Sequence, residues 1–252
     1  MKLLDLFSGI GGFSLAASWL GVETVGFVEI DPWCQRVLAK NFPGVPIHGD
    51  IKTFDGHAYQ GVDIITGGFP CQPYSVAGKR GGADDDRAIW PEMLRVIDES
   101  RPRYVLGENV PGFIKVGLDQ SLADLEACGY TCQAFAVPAV GVDAPHKRER
   151  IWIVAHATGM FGPSLERVES DGVLPEVRPL ANTDSSWELQ PEGIVQDIGG
   201  RPSNGCRWPA ESGVDRMAYG LPERVDRLKG LGNAIVPQVA YEIMRVMLED
   251  EL

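Results

Sequence analysis

Apolar positions along the chain fall into short runs broken by glycines, with amphipathic stretches between them. Leu3, Leu4 and Leu6 mark the first run, and residues 2–7 are predicted to form a strand. Ser8-Gly9-Ile10-Gly11-Gly12 follows at once, and then Phe13, Leu15, Ala16 and Leu20 recur at helical spacing up to Gly21. A second strand is expected at 24–28, with a helix opened by Asp31-Pro32 and running to about Asn41. Further strands are predicted around 45–48 and at 62–66. Residues 88–99 place Ile89, Met93, Val96 and Ile97 on one helical face. Residues 104–106 read as a strand, 118–128 as a helix, 130–137 as an alternating strand and 151–155 as a buried one. After Gly230-Leu-Gly-Asn233, a last helix is expected with Val236, Val239, Ile243 and Met247 as its buried stripe and Pro237 in its first turn. Strands alternating with helices predict an α/β, doubly wound sheet.

The pattern fails between Thr158 and about Asp226, where glycine and proline are frequent and no periodicity holds. Two units follow: a main domain of residues 1–156 plus 228–252, and a small irregular recognition region at 157–227. Part of that region is equally compatible with disorder. The full 252 residues, 44% apolar and 23% charged, suit one large soluble domain with a small appendage. No apolar run approaches the ~18 residues that would span a bilayer, so no membrane association is expected. The opening residues reach Asp5 too early for a signal peptide. Five cysteines, at 34, 71, 128, 132 and 206, show no paired zinc spacing. No metal is expected, and reduced thiols point to a cytoplasmic setting.

Net charge is −12, which argues weakly against a nucleic-acid partner, but phosphate contacts are made by patches. Residues 157–200 hold Arg167 and Arg178 against eight acids, whereas 201–229 hold six basic residues against four. Lys147-Arg148-Glu149-Arg150 is a third basic spot.

Candidate chemistry gathers at strand ends. Strand, glycine turn and helix form an arrangement that lets backbone approach a ligand without an intervening Cβ. Glu29, closing the second strand, is placed to hold ribose hydroxyls. Asp50, after the third, suits an adenine amino group or the capping of the next turn. Together these suggest an adenosine-bearing cofactor without phosphates. A dinucleotide site fits less well, because the loop lacks the third spaced glycine of that fingerprint. The stretch Gly67-Gly68-Phe69-Pro70-Cys71-Gln72-Pro73-Tyr74-Ser75 puts a thiol on a stiff turn just past a buried strand. Open α/β sheets bind ligands at that edge, and a rigid, reachable, partly ionised thiol is a nucleophile. A small buried hydrophobe is the alternative for an isolated cysteine. Glu108, at the end of another strand, could hold or protonate a base ring if burial raised its pKa; a surface carboxylate is the alternative. Residues 75–87, glycine-rich and mixed in charge, read as a lid or a solvated linker.

In order along the chain, Asp5-Leu-Phe-Ser-Gly-Ile-Gly-Gly-Phe13, Glu29, Asp50, Gly68-Phe-Pro-Cys-Gln-Pro73, Glu108-Asn-Val110, Lys147-Arg-Glu-Arg150 and Gly232-Asn233 resemble the motifs of the DNA (cytosine-5) methyltransferases. The resemblance covers roughly residues 1–155 and 228–250. It implies a Rossmann-like fold dependent on S-adenosyl-L-methionine and methylation of a cytosine flipped out of double-stranded DNA. In that scheme Cys71 adds to ring carbon 6, Glu108 holds N3 and the exocyclic amine, Arg150 supports the pocket and Arg148 stabilises the site. Phe7 would stack on adenine, with Gly9, Gly11 and Gly12 beside the methionine part and Glu29 at the ribose. Ile30, Asp50, Ile51, Pro70, Asn233 and Ala234 would complete the cofactor pocket. Candidate DNA contacts are Ser75, Lys79 and Arg80 in the loop and Arg216, Arg224 and Arg227 in the recognition region. The family further implies a monomer in the cytoplasm of a bacterial or phage-infected cell, and a restriction endonuclease is a candidate counterpart.

Three positions depart from the family pattern. His146 stands where glutamine is usual, Ile30 where many relatives carry an aromatic, and the 158–226 region is short for target recognition. Methylation of a tRNA cytosine by the same chemistry, and a catalytically silent DNA-binding regulator, are the competing readings.

Overall fold

The computed structural model describes residues 1–70, 89–158 and 230–249. Seven strands form one sheet: β1 (Lys2–Leu6), β2 (Glu23–Val28), β3 (Ile47–His48), β4 (Ile64–Gly68), β5 (Tyr104–Asn109), β6 (Tyr130–Pro138) and β7 (Glu149–Ala157). Their order is β3-β2-β1-β4-β5-β7-β6. The first five run parallel, while β7 lies antiparallel to both β5 and β6. Burial explains the sequence pattern. β1 and β4 are covered on both faces and read as near-continuous apolar runs, whereas the edge strand β6 alternates.

Helices α1 (Gly12–Trp19), α2 (Pro32–Asn41), α3 (Trp90–Ser100), α4 (Leu118–Ala127) and α5 (Pro237–Met247) connect and cover the sheet. Met93, Val96 and Ile97 of α3 and Leu118 and Leu125 of α4 pack on one face with Leu4, Leu6, Ile65, Val105 and Ile153. Phe13, Ala16 and Ala17 of α1 and Val239, Ala240 and Met244 of α5 pack on the other, with Leu3, Ile64, Leu106 and Trp152. Three layers result. Asp31 caps α2, its Oδ1 accepting from the Trp33 and Cys34 amides at 2.9 and 3.3 Å, and Pro32 sits just inside.

The expected elements are present, with shifted ends. The third strand shortens to two residues, and the last helix turns its burial toward Met244 and Leu248. Ile243 and Met247, expected in that stripe, are only partly buried. The face that packs with α1 and the sheet is formed by Val239, Ala240, Met244 and Leu248, centred one position on from the expected stripe. Of the region set at 157–227, Ala157 closes β7 and pairs with Tyr130; residues 159–227 lie outside the described residues.

Candidate active site

Strand order reverses between β1 and β4, because β1 leads outward to β2 and β3 while β4 leads the other way to β5. In open parallel sheets the crevice at such a point, at the carboxyl ends of the strands, is where ligands bind. The loop after β1 and the turn after β4 both emerge there.

The first of these is tightly built. Phe7 leaves β1 with φ at +52°, Gly9 at +54° and Gly11 at +86°, so the backbone makes successive left-handed turns. The Gly11 amide closes on the Ser8 carbonyl at 2.8 Å, and the Ser8 amide reaches the Val28 carbonyl at 3.2 Å. Close packing fixes the glycines differently. A Cβ on Gly11 would lie 2.6 Å from the Phe42 ring and one on Gly12 2.7 Å from Ile235, whereas one on Gly9 would meet nothing within 4 Å. Gly9 therefore faces open space among the described residues.

Glu29 is buried at the end of β2. One of its carboxylate oxygens accepts from the Gly9 amide at 2.7 Å and the other from the Asp31 amide at 2.7 Å. A carboxylate accepts about four hydrogen bonds, so this tie between the glycine loop and α2 is compatible with ribose hydroxyls on the same oxygens. The neighbouring Ile30 side chain is 70% exposed. Asp50 caps the next turn, its Oδ1 accepting from the Lys52 amide at 2.9 Å, and a carboxylate has further acceptor capacity. It is exposed, and Ile51 beside it is buried.

Glu108, at the carboxyl end of β5, is the second centre. It is 8% exposed, so the surface alternative is excluded. Arg150 of β7 pairs with it, Nε to Oε1 at 3.0 Å. Burial pushes the Glu108 carboxyl above the ordinary glutamate value, while the Arg150 and Arg148 charges pull it back down. Gly68 of β4 lies opposite Glu108 in register, and a Cβ there would come within 3.3 Å of Glu108 Oε2. The absence of a side chain at 68 thus leaves room for this carboxyl.

Arg148 points elsewhere. Its backbone sits at φ +25°, and its Nη2 donates to the carbonyls of Gly232 and Ala234 at 3.0 and 2.5 Å. It thereby fastens the segment bearing Asn233, which is exposed, to the start of β7. Burial lowers the Arg148 pKa, and the nearby Arg150 charge lowers it further. Pro70 is exposed at the last described position before Cys71. Cys71, Ser75, Lys79, Arg80, Arg216, Arg224 and Arg227 lie outside the described residues.

Sequence reasoning assigned no role to two further residues. Asn109 is buried and donates from Nδ2 to the Phe69 carbonyl at 3.1 Å, tying the end of β5 to the turn after β4. Asp5 is fully buried between β4 and α1. Both stand inside quoted motifs, and a carboxylate in an otherwise apolar strand was the available signal for Asp5.

Among the described residues, Asp55, His57 and Glu99 bring ligand atoms within 4.8 Å of one another. Glu99 is already paired with Arg95 at 2.8 Å. Cys34, Cys128 and Cys132 are in no disulfide among the described residues, and no described helix is long and apolar enough to cross a membrane.

The family model for the C-5 cytosine-specific DNA methylase matches residues 1–193. Among curated relatives, the type II methyltransferase M.HhaI of Haemophilus parahaemolyticus is 33% identical over 159 residues, covering 61% of this chain and 48% of its own. M.PspPI of Psychrobacter sp. (strain TA137) is 36% identical over 230 residues, covering 88% of this chain and 53% of its own. The chain spans about half the length, or less, of the curated relatives it matches. Of solved structures, a Spodoptera frugiperda DNMT2 triple mutant superposes with TM-score 0.56 at 28% identity, over 67% of this chain and 53% of that one. A putative DNA modification methyltransferase encoded within an Escherichia coli prophage gives 0.53 at 28% identity, over 62% and 47%. The fold is the Rossmann-like one of S-adenosylmethionine-dependent methyltransferases.

Proposed function

The chain belongs to the C-5 cytosine-specific DNA methylase family, and from that premise we propose that it methylates carbon 5 of a cytosine flipped out of double-stranded DNA. The observation that carries this reading is the buried Glu108–Arg150 pair at the carboxyl end of β5, beside the strand that leads to Cys71. Burial raises the carboxyl pKa and so favours the protonated form, which can donate to a ring nitrogen as charge develops there. The same proton marks cytosine over thymine, because thymine N3 already bears one and accepts none. Arg150 keeps the carboxyl in place and offers further donors to the base or its phosphate.

The residues present fit S-adenosyl-L-methionine. Gly9 leaves backbone open to a ligand, Ile30 offers an exposed apolar surface for a flat ring, and Glu29 offers acceptors for a ribose. Phe7, Ile51, Pro70, Asn233 and Ala234 border the same strand ends in this reading, and Asp50 offers an acceptor to the adenine amine. When bound, this cofactor supplies an electrophilic methyl group. Cys71, as thiolate, adds to carbon 6 of the base and makes carbon 5 nucleophilic. Loss of the carbon-5 proton then expels the thiolate and restores the ring.

Beyond β7, the residues up to 227 are the target-recognition region of this account, and their shortness fits a brief target sequence, relaxed specificity or dependence on a partner. The type II relatives support a role beside a restriction endonuclease. The test is incubation of the purified chain with tritiated S-adenosylmethionine and either unmethylated duplex DNA or tRNA. Label in DNA, absent in Cys71→Ala, is the expected result, and bisulfite sequencing then gives the target. Label confined to tRNA would overturn the DNA assignment, and DNA binding with no label in either would favour the silent regulator.

A further inference from the structure

Asp5 is an ionisable residue in the middle of the sheet, and the Glu29 charge that reaches it disfavours its ionised form. Its partners explain its presence. Oδ2 accepts from Ser14 Oγ at 2.8 Å, and the Ser14 amide also donates to the carboxylate. Oδ1 accepts from Thr66 Oγ1 of β4 at 2.9 Å. Ser14 stands in the first turn of α1, whose amides have no partner within the helix. An N-cap side chain ordinarily accepts from one of them. Here the N-cap is Gly11, in the left-handed region and with no side chain to offer. Glycine at 11 is needed for the turn, and so the cap must come from elsewhere.

We propose that Asp5 is a positioning residue for the cofactor loop: its carboxylate, braced from β4 by Thr66, replaces the missing cap of α1 and holds the 9–12 turn in its ligand-binding shape. The identity of that ligand rests on the methyltransferase reading above. Thr66 then influences cofactor binding without touching the loop. Its hydroxyl fixes one carboxylate oxygen and leaves the other aimed at Ser14. The Ser8 hydroxyl adds a second brace, donating to the Asp5 carbonyl at 2.6 Å.

The test compares Thr66→Val, which keeps the shape and removes the donor, with Thr66→Ser, which restores it, and with Asp5→Asn. Calorimetry gives S-adenosylmethionine affinity, and amide hydrogen exchange of the unliganded full chain reports on residues 9–14. Thr66→Val is expected to weaken binding by about fivefold, the loss of roughly one net hydrogen bond, and to speed exchange at 9–14 with β6 and β7 unchanged. Thr66→Ser is expected to behave as wild type. Unchanged affinity and loop exchange in Thr66→Val, even with a lower melting temperature, would reduce Asp5 to a structural role and overturn the proposal. Should the wild type bind no S-adenosylmethionine, the methyltransferase reading falls, and the exchange arm still decides the role of Asp5.

Discussion

Glu108 and Asp5 are both buried carboxyls on the face of the sheet that carries α1, and their surroundings give them different work. Glu108 has a cation 3.0 Å away, which limits how far burial raises its pKa. Glu108→Gln keeps the shape and removes the proton, so methyl transfer should fall about 10²–10⁴-fold while cofactor affinity stays unchanged; single-turnover assays and calorimetry separate the two. Among the described residues, hydroxyls and an amide are the donors to Asp5, and burial pushes it up to about 7 from an ordinary 3.8. Between those values the folded protein holds a proton that the unfolded chain releases. The stabilisation is therefore full below about pH 4 and is lost as pH rises through 7. Wild type should show an advantage in melting temperature over Asp5→Asn at pH 5 that shrinks by pH 8. Sequence offered Glu108 as one of two alternatives, since a carboxylate at a strand end is equally a surface group until its neighbours are known. The Arg150 partner comes from a strand 42 positions away, and only the antiparallel pairing of β5 and β7 brings it there.

At the level of elements, the turn into α1 does two jobs through different glycines. Gly11 is locked by φ and by packing against Phe42, while Gly9 faces open space at positive φ. Gly11→Ala should thus lower stability by about 1–3 kcal/mol in urea unfolding. Gly9→Ala should cost about 1–2 kcal/mol in strain and show its larger effect on S-adenosylmethionine binding. Equal loss of stability without any loss of binding in Gly9→Ala would place the ligand elsewhere. The strand–glycine–helix unit was legible because its local chemistry agrees with its fold: apolar run, left-handed glycines, helical spacing. The last helix was less so, since its buried face is set by α1 and the sheet jointly. The turn at Arg148 was not legible at all, because nothing local announces that its guanidinium will reach carbonyls 84 and 86 positions along.

The whole molecule is a sheet whose reversal between β1 and β4 brings the glycine loop, Glu29 and the Glu108–Arg150 pair to one edge. Asn109 and Arg148 draw the neighbouring turns onto that edge from both sides. The alternation of strands and helices carried this architecture in the sequence. The antiparallel hairpin of β6 and β7 was less legible, since periodicity gives strands and not their direction. On the proposed reading, a net charge of −12 leaves contact with DNA to local basic patches. The central claim is that Cys71 and Glu108 act together on a cytosine ring. DNA bearing 5-fluorocytosine tests it directly, because fluorine at carbon 5 blocks the proton loss that frees the enzyme. With S-adenosylmethionine present, the account predicts a denaturant-resistant protein–DNA adduct, linked through Cys71, strongly reduced in Glu108→Gln and absent in Cys71→Ala. An adduct that persists in Cys71→Ala, or none from wild type that binds both cofactor and DNA, would contradict it.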